Sequence, residues 1–546
     1  MKVELKIFFS LFFVYLIFVQ WYGWNEESNF ALTRAISEEK RFEIDSFANQ
    51  TGDRAFYEGH YYSDKEPGLS FIASFIYKLW ELLYKYFPQS FKVKYEQNGG
   101  YLVKSYGDVQ IFTPINPGFF TFTSMILLTA LTTSIFSSLT AVLVYKFSRY
   151  FLKNQALRIL LAMGYGMGTL AFPSALHFMT QPTATFLSFF SFFLLFKIKN
   201  EKLKKNKYFF LAGLLAGFSI VIDRLAILST LLLITYSFWQ SKRFSPIFLL
   251  GLLFSILPFL FYNYSIFGNP FDLASSYIDR HLYRTAYPVS SLLLPFFNSN
   301  TKNIRTMAFF DASPIKQIIE HFHFIPTLPN FYIIIRLLFF PYRGLLFYSP
   351  ILVLSFPGFI FMFRKHKTET ILIILNLIFL LSIISMRRTW WGGYGFGNRY
   401  LLFIVPFLML PIAWIFDETN KNVIITLLTI SIVINFLGLQ PAEELAYDWN
   451  TMDIRSDWLA KQNSFQVLAN PLLDHYLPLT LKYGPRSAIF EHIVNGELSI
   501  DIRLPPLSKG ADFPFSRFHL PFFCLFPVLI IFLVIWRKEI GIKNVW

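Results

Sequence analysis

Cysteine is nearly absent from this chain: Cys524 is the only one. No intramolecular disulfide can form, and the lone thiol argues against thiolate metal sites and Cys-based redox chemistry. Charge is scarce as well, with 15% of residues Asp, Glu, Lys or Arg against 54% hydrophobic. With a mean hydropathy of +0.45, that balance excludes a soluble globule and describes a polytopic membrane protein. The sequence carries no zinc-hydrolase His/Glu pattern, no Walker loop and no Ser-centred nucleophile elbow. It has no internal repeat of solenoid type.

Aromatics, by contrast, are abundant, at 20% with 68 Phe. So many phenylalanines read as generic lipid-facing residues, and none is assigned a role. A net charge of +15 would suggest nucleic acid in a soluble protein. Here the basic residues collect in short loops, as the positive-inside rule expects, and no nucleic-acid partner is implied.

A span needs about 20 apolar residues. About twelve candidates lie near 7–24, 120–146, 158–175, 179–196, 208–222, 225–240, 246–264, 344–363, 371–386, 401–416, 423–440 and 519–536. The first ends in Gln20-Trp21-Tyr22-Gly23-Trp24, an aromatic belt rather than a small-residue cleavage site, and reads as an uncleaved helix. Phe331–Phe340 is too short to span, carries Arg336 and reads as interfacial or re-entrant. The lysines at 197, 199, 202, 204, 205 and 207 form one basic cluster. Arg149 with Lys153, Lys242-Arg243, Arg364-Lys365-Lys367 and Arg537-Lys538 form four more. Twelve spans with both ends inside put all five on the cytoplasmic side. Segments 25–119, 265–343, 387–400 and 441–518 then fall outside. The expected fold is an all-α membrane protein with about twelve transmembrane helices and large extracytoplasmic loops. Its expected organisation is a polytopic unit over 1–440, an outer loop or small domain over 441–518, and a last helix with a cytoplasmic tail over 519–546.

The scarce charges concentrate in the first outer loop: Trp24-Asn25-Glu26-Glu27, Asp45, Asp53-Arg54, and Gly59-His60-Tyr61-Tyr62-Ser63-Asp64-Lys65-Glu66-Pro67-Gly68. Ionisable groups at a membrane face mark a site more often than they serve stability. Gly59, Pro67 and Gly68 predict a tight turn that aims Asp64 and Lys65. Leu69–Phe87 follows with helical spacing of apolar residues and predicts an amphipathic helix lying in the interface. Asp45 and Arg54 read as ordinary solvated loop charges. A second candidate is Met386–Tyr400, where Gly392, Gly393, Gly395 and Gly397 permit close backbone approach or positive φ. Trp390 and Trp391 suit sugar stacking or the headgroup belt, and Arg399 suits a phosphate or an interfacial anchor. The glycines there are no dinucleotide fingerprint, since no strand precedes them. His177, at an outer turn, reads as incidental. Asp223-Arg224 reads as an internal pair or a helix cap, and Arg343 as an aid to a phosphate site.

Paired acids directly after the first helix, then an aromatic-acid-Lys-Pro element some forty residues on, resemble the GT-C superfamily. These are multi-span glycosyltransferases such as the protein O-mannosyltransferases and lipid A aminoarabinose transferases (glycosyltransferase family 39-like). Glu26-Glu27-Ser28-Asn29-Phe30-Ala31 stands in place of that family's opening Asp-Glu and its basic and aromatic followers. Tyr62-Ser63-Asp64-Lys65-Glu66-Pro67 resembles the second element. Glu26 replaces the usual Asp, Asn29 replaces a basic residue, and a one-residue shift brings Asn25-Glu26 into register. The motif resemblance covers residues 24–68. It implies transfer of a sugar from a polyprenyl-phosphate donor to an acceptor hydroxyl on a lipid, glycan or protein, at the outer leaflet of the cell membrane.

Such a reaction needs a base for the acceptor hydroxyl and positive charge for the departing phosphate. Glu26, Glu27, Asp53 and Asp64 are the candidate catalytic acids. Lys65, His60, Arg399, Trp390, Trp391 and Arg343 are the candidate substrate-binding residues. A divalent cation held by Glu27 and Asp64 stays open, as do two other readings of the chain: a secondary transporter and a catalytically degenerate GT-C-like assembly protein.

Overall fold

The computed structural model describes residues 1–21, 23–90, 92, 101–106, 109–114, 117–201, 206–279, 329–387, 390–393, 395–440, 470–489 and 525–536. Much of the outer segments 265–343 and 441–518 lies outside these residues, as do Cys524 and the basic residues Lys202, Lys204, Lys205, Arg537 and Lys538.

Each of the twelve apolar segments contains helix among its described residues, with bounds and breaks that differ from the sequence pattern. Four helices are long and apolar enough to cross a membrane: Phe119–Ser148, Thr180–Asn200, Ser245–Phe267 and Lys367–Ser385. Others are shorter, among them Asn206–Ile222, Ala226–Gln240, Arg399–Ile415, Lys421–Leu437 and Leu525–Trp536. The expected first span is α1 (Val3–Ile17). It stops early because Gln20 turns aside, its Nε2 donating to the Leu439 carbonyl at 2.6 Å. The expected span 344–363 is broken into Leu345–Tyr348, Pro350–Leu354 and Ser355–Lys365. Pro350 cannot donate to a continuing helix. The backbone groups around the break find side chains instead. Ile351 N–H donates to Ser431 Oγ at 2.9 Å, and the Tyr348 carbonyl accepts from Asn435 Nδ2 at 2.7 Å. In a membrane interior broken backbone survives only with such replacements.

The all-α expectation needs one amendment. The segment 25–119 contains two antiparallel hairpins, β1 (Arg54–Tyr57) with β2 (His60–Ser63), and β3 (Tyr101–Tyr106) with β4 (Val109–Pro114). Glu58 and Gly59 at the first turn both have positive φ, 48° and 89°, which matches the right-handed twist of a two-residue hairpin. Before this hairpin lies α2 (Trp24–Arg34), and after it α3 (Gly68–Tyr84). In α3, Phe75, Leu79, Leu82 and Leu83 are exposed while Leu69, Ala73 and Tyr77 are buried. The helix is the one expected from the apolar spacing, and it leaves an apolar face exposed.

A hydrophobic core runs from α1 through the central helices to Arg399–Ile415 and Lys421–Leu437. Residues 470–489 dock on it: Ala488 N–H donates to the Val19 carbonyl at 3.1 Å, and Gln440 Nε2 donates to the Gly484 carbonyl at 2.6 Å.

Candidate active site

Glu26 and Glu27 open α2, where free backbone N–H groups favour negative charge. Successive helical residues point about 100° apart, and the two acids part company accordingly. Glu27 is buried and accepts a 2.8 Å hydrogen bond from Trp21 Nε1, with the Trp21 ring stacked on Phe178. Glu26 is 1% exposed and its Oε1 accepts no hydrogen bond, although it stands 3.2 Å from Nδ1 of His177. Burial pushes the Glu26 carboxyl up to about 8; a backbone N–H and Arg399 pull the other way, Asp53 adds to the rise and Lys65 opposes it. Burial, helped by the Arg399 charge, drops His177 to about 3. His177 is therefore neutral at physiological pH and its contact with Glu26 is polar rather than ionic.

The hairpin supplies the second half of the site. Ser63, at the end of β2, shares a 2.8 Å hydrogen bond with Ser28 of α2 and accepts the Lys65 backbone N–H. That fixes the start of the Asp64-Lys65 turn against the helix bearing Glu26. Lys65 Nζ lies 2.7 Å from Asp53 Oδ2 and 3.0 Å from Asp64 Oδ1. Burial alone would lower the ammonium pKa, but Asp53 and Asp64 outweigh it and hold Lys65 above its usual value. Asp64 is raised by burial despite Lys65. Asp53 is placed by Thr51, whose hydroxyl donates to the Trp24 carbonyl and accepts the Asp53 N–H. Next to Lys65, Glu66 pairs with Arg224 at 3.1 Å, and Arg224 also donates to Ser275 Oγ. Asp223 does not pair with Arg224. It accepts from Thr180 Oγ1, Gln181 Nε2 and Leu225 N–H, joining two helix starts.

The glycine-rich segment forms the third side. Gly392, Gly393 and Gly397 have φ of 86°, 75° and 63°, conformations open chiefly to glycine. Arg343 holds this loop: its guanidinium donates to the carbonyls of Gly393, Gly395 and Gly397. A guanidinium so occupied organises the loop, while its Nε has no hydrogen-bond partner among the described residues. Asn398 Nδ2 ties the Trp390 carbonyl, and the Trp390 ring is buried edge-on to Tyr342 and Trp391. The loop delivers Arg399, whose charge is felt by Glu26, Lys65 and His177. Arg387 joins it: its guanidinium lies 4.3 Å from the Tyr400 ring centroid, that of Arg399 5.6 Å. Arg387 is buried, and the Nε atoms of both arginines have no hydrogen-bond partner among the described residues. Buried guanidinium donors left open suit an anion.

Of the ten residues expected from sequence, Glu26, Asp53, Asp64, Lys65 and Arg399 share one electrostatic neighbourhood. His60 stands apart on the exposed hairpin tip, 2.7 Å from Asp45, which raises its pKa. Four residues, three of them in β2, separate it from Lys65. Among the described residues no three His, Cys, Asp or Glu gather as a metal site. Glu27 and Asp64, the pair considered for a cation, are engaged by Trp21 and Lys65 respectively. Arg387 went unnamed in the sequence reading, and His177 was set aside. A signal for Arg387 existed: in the topology expected from the basic clusters, the consecutive arginines Arg387-Arg388 run against the positive-inside rule.

No family model matches this chain, and no curated protein does. Among solved structures it is similar to the archaeal oligosaccharyltransferase AglB from Archaeoglobus fulgidus in complex with an inhibitory peptide and a dolichol-phosphate, with a TM-score of 0.49 and 10% identity. That enzyme tethered to an acceptor peptide gives 0.44 and 11%, and its apo form 0.42 and 12%. The matches cover 86% of this chain and 60%, 59% and 60% of those chains. The likeness is one of overall chain path at low identity, and no residue role is taken from it.

Proposed function

We propose that this protein is a membrane glycosyltransferase that moves a sugar from a polyprenyl-phosphate donor to an acceptor hydroxyl on the outer side of the membrane. The observation that carries the reading is Glu26: a buried carboxyl at a helix N-terminus, with an unbonded Oε1 and a pKa of about 8. Such a group is a competent general base near neutral pH. Ionised Glu26 takes the acceptor proton as its oxygen attacks the anomeric carbon; the bond to the phosphate oxygen breaks and the lipid phosphate leaves. Arg399 and Arg387, with open donors beside Tyr400, hold that phosphate and stabilise its growing charge. Lys65, kept charged by Asp53 and Asp64, adds a fixed positive charge between base and phosphate. The exposed apolar face of α3 fits a wall for the lipid tail, and Trp390 with Trp391 fits a rim for the sugar.

Reconstituted protein offered lipid-linked and nucleotide-linked sugars in parallel tests the donor. Transfer from the lipid-linked sugar, lost in Lys65→Ala and Arg399→Ala, is expected. Efficient transfer from the nucleotide sugar alone would overturn the mechanism.

A further inference from the structure

Arg54 stands next to Asp53 but faces away from the acids, and it is 2% exposed. Its Nη1 donates to the Ala48 carbonyl at 2.6 Å and reaches Asn49 Oδ1 at 3.4 Å. Its Nε and Nη2 converge on Asp279 Oδ2 at 3.2 and 3.1 Å. The face of the guanidinium lies 4.4 Å from the Tyr61 ring centroid. The backbone repeats the connection: Asp279 N–H donates to the Arg54 carbonyl at 3.0 Å, and Ala55 pairs with Ile278. One side chain thus joins the 45–50 turn and the neighbouring β1–β2 hairpin to the 274–279 segment, 225 residues on at Asp279.

We infer that Arg54 is a positioning residue, the strut that fixes Asp53 and, through it, Lys65 by fastening the hairpin to the Ala274–Asp279 segment. A buried cation is costly unless its donors are used, and a surface lysine or glutamine would suffice if this strand merely met solvent. All the hydrogen bonds from the Arg54 side chain stay within the outer framework, so it touches no reacting group. What it sets is the start of β1, directly after Asp53, whose Oδ2 lies closer to Lys65 Nζ than the Asp64 oxygen does. On the opposite side, Arg224 ties Glu66 to Ser275 of the same segment. The acid-lysine cluster is therefore braced at both ends against residues 274–279.

The role rests on the site proposed above for its catalytic meaning, but not for its structural test. Lys65 in full-length detergent-purified protein is acetylated with an N-hydroxysuccinimide ester and read by peptide mass spectrometry, with Lys78 and Lys40 as internal references. Arg54→Ala should raise the Lys65 rate by roughly tenfold or more, since freeing a braced segment lets it open locally. Asp279→Asn, which keeps volume and the Ala48 and Asn49 contacts, should raise it less. Arg54→Asp combined with Asp279→Arg should bring it back toward the wild-type value. In the transfer assay the same variants should lower kcat more than they raise KM. An unchanged Lys65 rate in both single variants overturns the strut. So does a rise shared by all lysines in Asp279→Asn. Raised labelling with no transferase activity in any form, wild type included, would uphold the strut and remove the transferase reading instead.

Discussion

Glu26 is the base of the proposed chemistry, and its protonation gives a direct test. With a pKa of about 8, only about a tenth of the protein carries ionised Glu26 at pH 7. A base must be deprotonated to act, so kcat/KM should climb as pH rises through about 8, and the climb should vanish in Glu26→Gln. That substitution removes charge while nearly preserving volume, and a loss of roughly 10²–10⁴-fold is expected. Full activity in Glu26→Gln would dismiss it as the base. Arg387→Ala removes a guanidinium whose donors are open, and should weaken binding of a short-chain polyprenyl phosphate by roughly ten- to a hundredfold, measured by competition. Unaltered binding would reassign Arg387 to packing against Tyr400. At this scale the sequence told that acids and a lysine cluster after the first helix, but not which acid matters. Neighbouring glutamates look alike in a string, and only the 100° step of a helix sends one to Trp21 and the other toward His177. His177 belongs to a turn over a hundred residues downstream, a distance no local pattern reveals.

Elements were legible where periodicity is strong. α3 declares itself through apolar spacing, and the four glycines of 392–397 through their number; three of them do adopt strongly positive φ. The hairpin was read only as a tight turn, because four-residue strands are too short for alternation to stand out among aromatics. Close helix packing was likewise missed, although Gly213 and Gly217 sit four apart. A Cβ at Gly213 would come within 1.9 Å of the Phe248 carbonyl, and one at Gly251 within 2.2 Å of the Phe210 carbonyl. Helices Asn206–Ile222 and Ser245–Phe267 therefore meet backbone to backbone, as small residues allow in a membrane. Gly213→Val should force them apart at a cost of about 1–3 kcal/mol, seen as earlier thermal unfolding in detergent. Gly268→Ala, with open space around its Cβ but a φ of 68°, should cost about 1–2 kcal/mol through backbone conformation alone.

For the whole molecule, the charge pattern predicts Asn200 inside and Gly59 outside. Starting from Cys524→Ser, a cysteine at position 59 should react with an impermeant thiol reagent in intact cells and one at 200 only after lysis; the reverse pattern would remove the outer-leaflet site. Span number was the least legible quantity, since hydropathy counts apolar residues while Pro350 and Gln20 decide where helices stop. One contact couples the extremes of the chain: Trp536 Nε1 donates to Ser10 Oγ at 2.9 Å, with Lys6 over the same indole. Ser10 thus lacks this one partner until 526 residues later, while its helix also packs on residues made far sooner, Tyr15 donating to the Gly166 carbonyl. At about 5–20 residues per second of synthesis, Ser10 waits roughly half a minute to nearly two minutes for its partner. The Trp536 contact becomes possible only after the partners of α1 at Gly166 and Ser487 have been made, and closes a helix already held at its other end.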